Sequence, residues 1–199
     1  MILRSSPPSP FGRKVKIAAE LAGLAGQITM VPADTTSETD SLRRENPLGK
    51  IPVLILDDGQ ALYDSAVIVE YLDHRAGGGV LIPREADARF RCLTLQAMAD
   101  GAAEAAILGI YELRFREEAE RSARWTAYQA AKIGRVLAVL EAAPPSGTID
   151  AGHIAVACVL GYLDLRFEGA WRAEHPRLVA WLEAFAGAVP AFGKTAVKA

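Results

Sequence analysis

The sequence is poor in the residues that build metal sites and disulfides. Its 199 residues include two cysteines and three histidines. Cys92 and Cys158 lie far apart and form no Cys-X-X-Cys motif, and the histidines are scattered, so we expect no metal site. Both cysteines stand among apolar residues at helical spacing. This predicts buried, reduced thiols and is typical of a reducing, cytoplasmic compartment.

The chain also lacks an excess of charge of either sign. Lys and Arg number 22 against 24 Asp and Glu, which gives a net charge of −2. This balance argues against nucleic acid or an acidic membrane surface as a partner. The opening MILRSSPPSP has no apolar segment behind a basic start, so we expect no signal peptide. Apolar runs such as 154–163 are too short and too interrupted to span a bilayer.

The first third of the chain alternates strand-like and helical patterns. Residues 11–24 carry apolar side chains at three- and four-residue steps, with Ser9 and Pro10 suited to the cap and first position of a helix. An Asp-Gly hairpin signal joins two later strand patterns, and a further helix opens at Asp64 or Ser65. The predicted order is β-α-β-α-β-β-α, a four-stranded mixed sheet whose strands cover residues 1–4, 28–31, 51–56 and 61–63.

Everything after the glycine-rich segment 77–83 has a helical pattern. The predicted helices cover residues 84–118, 120–142, 151–167 and 175–190. The third of these is apolar nearly all round, which places it at the centre of a helical bundle, with Asp150 as its candidate cap. We therefore predict an α/β domain at 1–76, a linker at 77–83 and an all-helical domain at 84–199.

Pro52 is an unusual residue for the start of the strand predicted at 51–56. Proline gives no N–H to a ladder and is normally confined to edges, first positions or bulges. The strand pattern alone leaves two interpretations open. Pro52 either begins an edge strand or marks a special backbone geometry.

Five motifs in this order resemble the cytosolic glutathione S-transferases, and among them the bacterial members with a Ser-Pro-Phe start. They are SPFGRKV (9–15), NPLGKIPVL (46–54), LYDSAVIVEYL (62–72), HIAVACVLGYLDLR (153–166) and HPRLVAWLEAF (175–185). The resemblance covers nearly the whole chain. It implies a thioredoxin-like N-terminal domain followed by an all-α domain. One departure is His153, which stands where the family commonly has an aspartate in the capping box of its buried helix.

The resemblance implies a glutathione site in the first domain. The bond before Pro52 would be cis, which turns the backbone of Ile51 toward the cysteinyl backbone of glutathione. Ser65 would bind the γ-glutamyl carboxylate at a helix N-terminus, and Asp64 the ligand's ammonium. Lys50 could meet the glycyl carboxylate. An ordinary Asp-Ser helix cap and a solvated surface lysine are the alternatives.

The resemblance assigns the activating hydroxyl to Ser9, which would stabilise the thiolate of glutathione. A helix cap is its alternative role, and Ser5 and Ser6 are neighbouring candidates. A serine here cannot act as a sulfur nucleophile, which favours conjugation or peroxide reduction over disulfide exchange. Asp100 stands where relatives often carry a polar residue that reaches the glutathione site, sometimes that of the neighbouring subunit.

The resemblance also implies a second pocket, for the electrophile, between the two domains. Phe11, Ile107 and Tyr111 are its candidate lining residues. Arg114 and Arg116 lie nearby and could favour anionic substrates, although a charged helix face is the simpler interpretation.

The function implied is a glutathione transferase that joins the thiolate to a small apolar electrophile, with glutathione as co-substrate and no metal. A glutathione-dependent peroxidase, isomerase or dehalogenase is one alternative. A non-catalytic binding module is another, because the family contains both. The resemblance further implies a homodimer, with the first domain of one chain against the long helices of the other.

Overall fold

The computed structural model describes residues 1–197. Its first part is a four-stranded mixed sheet in the order β2-β1-β3-β4. β1 pairs parallel with β2 and antiparallel with β3, which pairs antiparallel with β4. The elements are β1 (Ile2–Ser5), α1 (Pro10–Leu21), β2 (Thr29–Pro32), α2 (Leu42–Glu45), β3 (Val53–Ile55), β4 (Ala61–Leu62) and α3 (Ser65–Arg75).

The second part is entirely helical. Its elements are α4 (Ala86–Phe115), α5 (Ala123–Ala142), α6 (Ala151–Phe167), α7 (Pro176–Ala188) and α8 (Pro190–Lys194), with short 3₁₀ turns between them. An α/β part followed by a helical part confirms the predicted fold class. Within the described residues, no helix is long and apolar enough to cross a membrane.

α6 lies at the centre of the helical part. Every residue from Ala151 to Leu160 is buried, which confirms the prediction made from its apolar composition. Asp150 caps the helix by accepting the N–H of His153 at 3.1 Å. Gly152 allows the close approach of α4, because a Cβ there would lie 2.8 Å from the carbonyl oxygen of Cys92.

Several predicted boundaries are wrong, and the reasons are local. The strand predicted at 51–56 is shortened to Val53–Ile55 because Pro52 cannot donate to the ladder. Glu85 caps α4 and Ser122 caps α5, so the helices predicted from 84 and 120 begin later. Pro190 interrupts the helix predicted at 175–190, which ends at Ala188 and is followed by α8.

The glycine-rich segment is held in place by one buried carboxylate. Asp73, at the end of α3, accepts backbone N–H groups from Gly79 and Leu81 at 3.0 and 2.6 Å. It also accepts those of Val80 and Ile82. The carbonyl of Leu81 in turn accepts the N–H of Ala151 at 2.8 Å. The segment therefore joins the end of α3 to the start of α6.

Candidate functional site

The predicted glutathione-binding residues of the first part lie on two backbone segments, one before β3 and one after β4. The Ile51–Pro52 peptide bond is cis. Ile51 stands outside the ladder, and its N–H and C=O have no partner among the described residues. The buried side chain of Asn46 fixes the preceding turn by donating to the carbonyl of Lys50 at 2.9 Å. The Lys50 side chain is exposed.

The second segment is the N-terminus of α3. Asp64 is the N-cap, and its carboxylate accepts the N–H of Ala66 at 3.0 Å. Ser65 is the first helical residue and is only 2 % exposed. Within residues 1–197 its hydroxyl has no hydrogen-bond partner. Because Asp64 supplies the cap, the Ser65 hydroxyl is free for another role, at the positive end of the helix dipole.

Ser9 occupies the N-cap of α1. Its hydroxyl oxygen accepts the N–H of Gly12 at 3.1 Å. Accepting that bond uses a lone pair and leaves the hydroxyl hydrogen available to donate. Ser5 and Ser6 are the neighbouring candidates for the activating hydroxyl. Ser5 is buried, lies against Gly12 and donates to the carbonyl of Ser6 at 3.4 Å.

Asp100, on α4, is bound by a lysine that the sequence analysis did not single out. Lys14 Nζ lies 2.8 and 2.6 Å from the two carboxylate oxygens of Asp100. Burial raises the pKa of Asp100 against the opposing effect of Lys14, and the nearby carboxylate of Asp64 raises it further. Asp64 in the first part and Asp100 in the second thus repel each other electrostatically within one chain.

A cavity of about 310 Å³ opens beside Ser9. Its walls come from α1 and the loop before it, from α6 and from the C-terminal residues of the described chain. They are Pro7, Pro8, Ser9, Pro10, Arg13, Cys158, Gly161, Tyr162, Asp164, Leu165, Phe192, Ala196 and Val197.

The cavity is lined by different residues from those proposed for the electrophile pocket. Phe11 and Ile107 are half-buried and pack against the main core. Tyr111 is partly exposed and meets the ring of Phe115 edge-on, with 5.1 Å between ring centroids. The sequence analysis missed Tyr162, because the apolar pattern of α6 indicated only a core helix.

Arg13 joins α1 to the C-terminal wall of the cavity. Its guanidinium donates to the carbonyl of Phe192 at 2.6 Å and to the hydroxyl of Thr195 at 3.2 Å. It also lies 3.9 Å from the centroid of the Phe192 ring. These partners are far apart in the sequence, and no local pattern indicates their contact.

The two cysteines are free and buried, as predicted. Burial raises the pKa of Cys92 to about 11 and that of Cys158 to about 12. Neither thiol is therefore a reactive thiolate near neutral pH. Within residues 1–197, no three His, Cys, Asp or Glu side chains lie close enough together to hold a metal ion.

Two family models match the chain. Residues 8–75 match the glutathione S-transferase N-terminal domain, and residues 86–184 match the C-terminal domain. The "uncharacterized GST-like protein YibF" of Escherichia coli is 32% identical over 190 residues, which cover 92% of each chain.

Solved structures show the same likeness. A glutathione transferase family member from Pseudomonas fluorescens, crystallised with bound glutathione, is 41% identical. It covers 100% of this chain and 99% of its own, with a TM-score of 0.93. A glutathione S-transferase from Methylobacillus flagellatus with glutathione bound is 35% identical, covers 99% of each chain and has a TM-score of 0.92. The chain belongs to the glutathione S-transferase family.

Proposed function

We propose that this protein is a glutathione transferase that binds glutathione along the Ile51 and Ser65 segments and joins its thiolate to a small electrophile. One observation carries the proposal. Ile51 offers an unpaired backbone N–H and C=O beside a cis proline, and the hydroxyl of the largely buried Ser65 has no partner among the described residues. Relatives that are 41% and 35% identical were crystallised with glutathione, which supports the same ligand here.

Glutathione would lie across both segments of the first part. The Ile51 backbone pairs with the cysteinyl backbone of the ligand as one rung of a sheet. The N-terminus of α3 and the Ser65 hydroxyl bind the γ-glutamyl carboxylate. Asp64 and Asp100, whose carboxylates repel each other, receive the ligand's ammonium, while Lys50 meets the glycyl carboxylate.

Ser9 would activate the thiol. Its oxygen accepts the N–H of Gly12, so its hydrogen is free to point at the ligand's sulfur. A donated hydrogen bond and the N-terminus of α1 both stabilise a thiolate relative to a thiol. The thiol loses its proton to solvent, and the thiolate sulfur then forms a bond to the electrophilic carbon, whose leaving group departs with its bonding electron pair. The helix cap and the catalytic role are thus compatible in one hydroxyl.

The proposal also covers the oligomeric state and the cellular compartment of the protein. The α3 and α4 surfaces are joined by the ion pair between Arg89 and Glu70 at 2.6 Å. They expose Val67 at 47% and Phe90 at 67%. These exposed apolar side chains support a homodimer in which the first part of one chain lies against the long helices of the other, which sedimentation equilibrium would detect. The free, buried cysteines are typical of a cytoplasmic protein.

The experiment that tests the catalytic step is the ultraviolet absorbance of the thiolate of bound glutathione, followed against pH. In the wild-type protein the pKa of the bound thiol should lie below that of free glutathione. Ser9→Ala should return it toward the free value while Ser6→Ala leaves it lowered. A lowered pKa that survives Ser9→Ala would remove Ser9 from the mechanism. A pKa equal to that of free glutathione in the wild-type protein would count against transferase activity.

A further inference from the structure

The C-terminal segment, residues 190–197, forms one wall of the cavity beside Ser9. We propose that Arg13 fixes this wall in place and thereby limits the size of the second substrate. Arg13 is then a specificity-determining residue for the electrophile. This inference rests on the proposed function, because it concerns the group to which the thiolate of glutathione is joined.

Arg13 holds the C-terminal segment at two points. Its guanidinium donates through Nη2 to the carbonyl of Phe192 at 2.6 Å and through Nε to the hydroxyl of Thr195 at 3.2 Å. The guanidinium carbon also lies 3.9 Å from the centroid of the Phe192 ring, which is a cation–π contact. Because hydrogen bonds from a charged donor are stronger than those between neutral groups, this attachment is a strong one.

The C-terminal segment has few other attachments. Every residue of 193–197 except Thr195 is exposed. Among the described residues, Arg13 is the one residue outside 189–197 that hydrogen-bonds to the segment. The Phe192 ring is a second anchor, since it packs against the main core. The position of the wall beyond that ring therefore depends on Arg13.

Arg13 also ties this wall to the proposed thiolate site. It stands one turn after Ser9 on α1, and its backbone N–H donates to the carbonyl of Ser9 at 2.9 Å. Gly161 of α6 leaves room for the guanidinium, because a Cβ at that position would collide with Nη1 of Arg13. The distance between Ser9 and the wall is thus set through one side chain that packs against both α6 and the C-terminal segment.

Two other polar side chains of the cavity offer little to a charged substrate. Asp164 accepts two hydrogen bonds from Arg172, at 2.8 and 2.7 Å, and one from the indole N–H of Trp171 at 2.9 Å. Burial raises the pKa of the Cys158 thiol to about 12, so this thiol is uncharged at neutral pH. The rest of the lining is chiefly apolar and includes three prolines and Val197. We therefore expect an apolar group to enter and its size to decide how well it fits.

The volume of the cavity sets the size limit. An apolar cavity of about 150 Å³ holds one benzene molecule, and the cavity beside Ser9 has a volume of about 310 Å³. A single aromatic ring fits with space to spare, whereas three fused rings exceed this volume unless the wall moves. A small aryl group is therefore accepted, and a larger one meets the C-terminal segment.

Two S-substituted glutathiones test this limit by binding, without turnover. S-benzylglutathione carries a single ring, and S-(anthracenylmethyl)glutathione carries three fused rings. We expect calorimetry to show the wild-type protein binding the benzyl derivative about tenfold more tightly, because the larger group overfills the cavity. Arg13→Met keeps the apolar stem of the side chain but removes both hydrogen bonds to the wall. It should reduce the preference to about threefold or less.

Two further variants make the test specific to this contact. Thr195→Val removes one of the two hydrogen bonds with little change of shape and should reduce the preference by a smaller factor. Combined with Arg13→Met it should have no further effect, because both changes act on the same contact. Lys16→Met is the matched control and should keep the preference, because Lys16 lies on the same helix but does not line the cavity. A general loss of folded protein affects both ligands alike and leaves the ratio of their affinities unchanged.

The outcomes separate this inference from the proposed function. A preference that is lost in Arg13→Met and kept in Lys16→Met supports the inference. If Arg13→Met does not fold, a reduced preference in Thr195→Val supports it and an unchanged one overturns it. Absence of a size preference in the wild-type protein, or a preference that survives Arg13→Met, overturns the inference and leaves the transferase proposal standing. If glutathione itself does not bind, the proposed function fails and the inference falls with it.

Discussion

The ammonium of Lys14 lies 2.6 Å from a carboxylate oxygen of Asp100, and this ion pair ties α1 to α4. The Lys14 side chain is 1% exposed and that of Asp100 is 22% exposed. Burial raises the pKa of Asp100 even with the lysine in place. The desolvation of the carboxylate therefore outweighs the attraction between the two charges. The pair couples the two parts of the fold beneath the proposed glutathione site.

Removing the charge of Asp100 and removing that of Lys14 should lower the free energy of unfolding by different amounts. Asp100→Asn leaves the fully buried Lys14 charge without a partner and should cost about 3–5 kcal/mol of unfolding free energy. Lys14→Met should cost less, because Asp100 can take up a proton. Lys14→Met with Asp100→Leu should recover most of the loss. Urea denaturation measures all three, with Lys16→Met on the same helix as the control. Equal losses that add in the double variant would contradict this account of the pair.

The contact between α4 and α6 should tolerate no side chain at Gly152. A Cβ there would lie 2.8 Å from the carbonyl oxygen of Cys92 and 2.9 Å from the Cβ of Leu95. Gly152→Ala should therefore lower the free energy of unfolding by about 1–3 kcal/mol. Gly134→Ala, at a helical site with nothing within 4 Å, should raise it by about 0.5–1 kcal/mol. Thermal or urea unfolding of the two variants is the measurement. Equal changes in the free energy of unfolding would contradict the packing argument.

The capping of α6 should depend on pH. Burial raises the pKa of Asp150, but hydrogen bonds from the ring and backbone N–H of His153 outweigh it and hold that pKa below its usual range. Because the folded-state pKa is lowered, the stabilisation is fully present above the unfolded-state pKa. It is lost as the pH falls through the folded-state pKa.

Asp150→Asn removes the negative charge but keeps a capping side chain, because asparagine also caps helices well. At neutral pH the wild-type protein should be more stable than Asp150→Asn by about 0.5–1 kcal/mol. This difference should shrink as the pH falls below the ordinary aspartate pKa of about 3.9 and disappear once the carboxyl is protonated in the folded protein. Urea denaturation across that range is the measurement. A difference that stays constant with pH would show that the charge of Asp150 contributes nothing.

Local patterns predicted the elements better than they predicted the contacts between them. α6 runs over Ala151–Phe167 as predicted, because a capping residue and a continuous apolar sequence mark it locally. The pair of Lys14 with Asp100 was missed, because an isolated lysine in a helical pattern carries no sign of a partner in another part of the fold. Asp73 was missed for the same reason. Its carboxylate accepts N–H groups from a segment that composition indicated only as a linker.

The candidate site likewise contains residues that local motifs predict and residues that only tertiary packing brings together. The positions of Ile51, Asp64 and Ser65 follow from short motifs whose geometry is local, and the structure places Asp64 rather than Ser65 at the cap. The wall beside Ser9 includes Phe192 and Val197, which only tertiary packing brings there. The roles of these residues toward a ligand stay predictions.

Calorimetric titration with glutathione tests the central claim most directly. We expect saturable binding to the wild-type protein, and we expect Ser65→Ala to weaken it by about 1–3 kcal/mol through loss of a hydrogen bond to the ligand's carboxylate. Ser122→Ala is the matched control, because it removes the cap of α5 and should leave glutathione binding unchanged. Absence of binding at millimolar glutathione would contradict the account and favour a non-catalytic binding module.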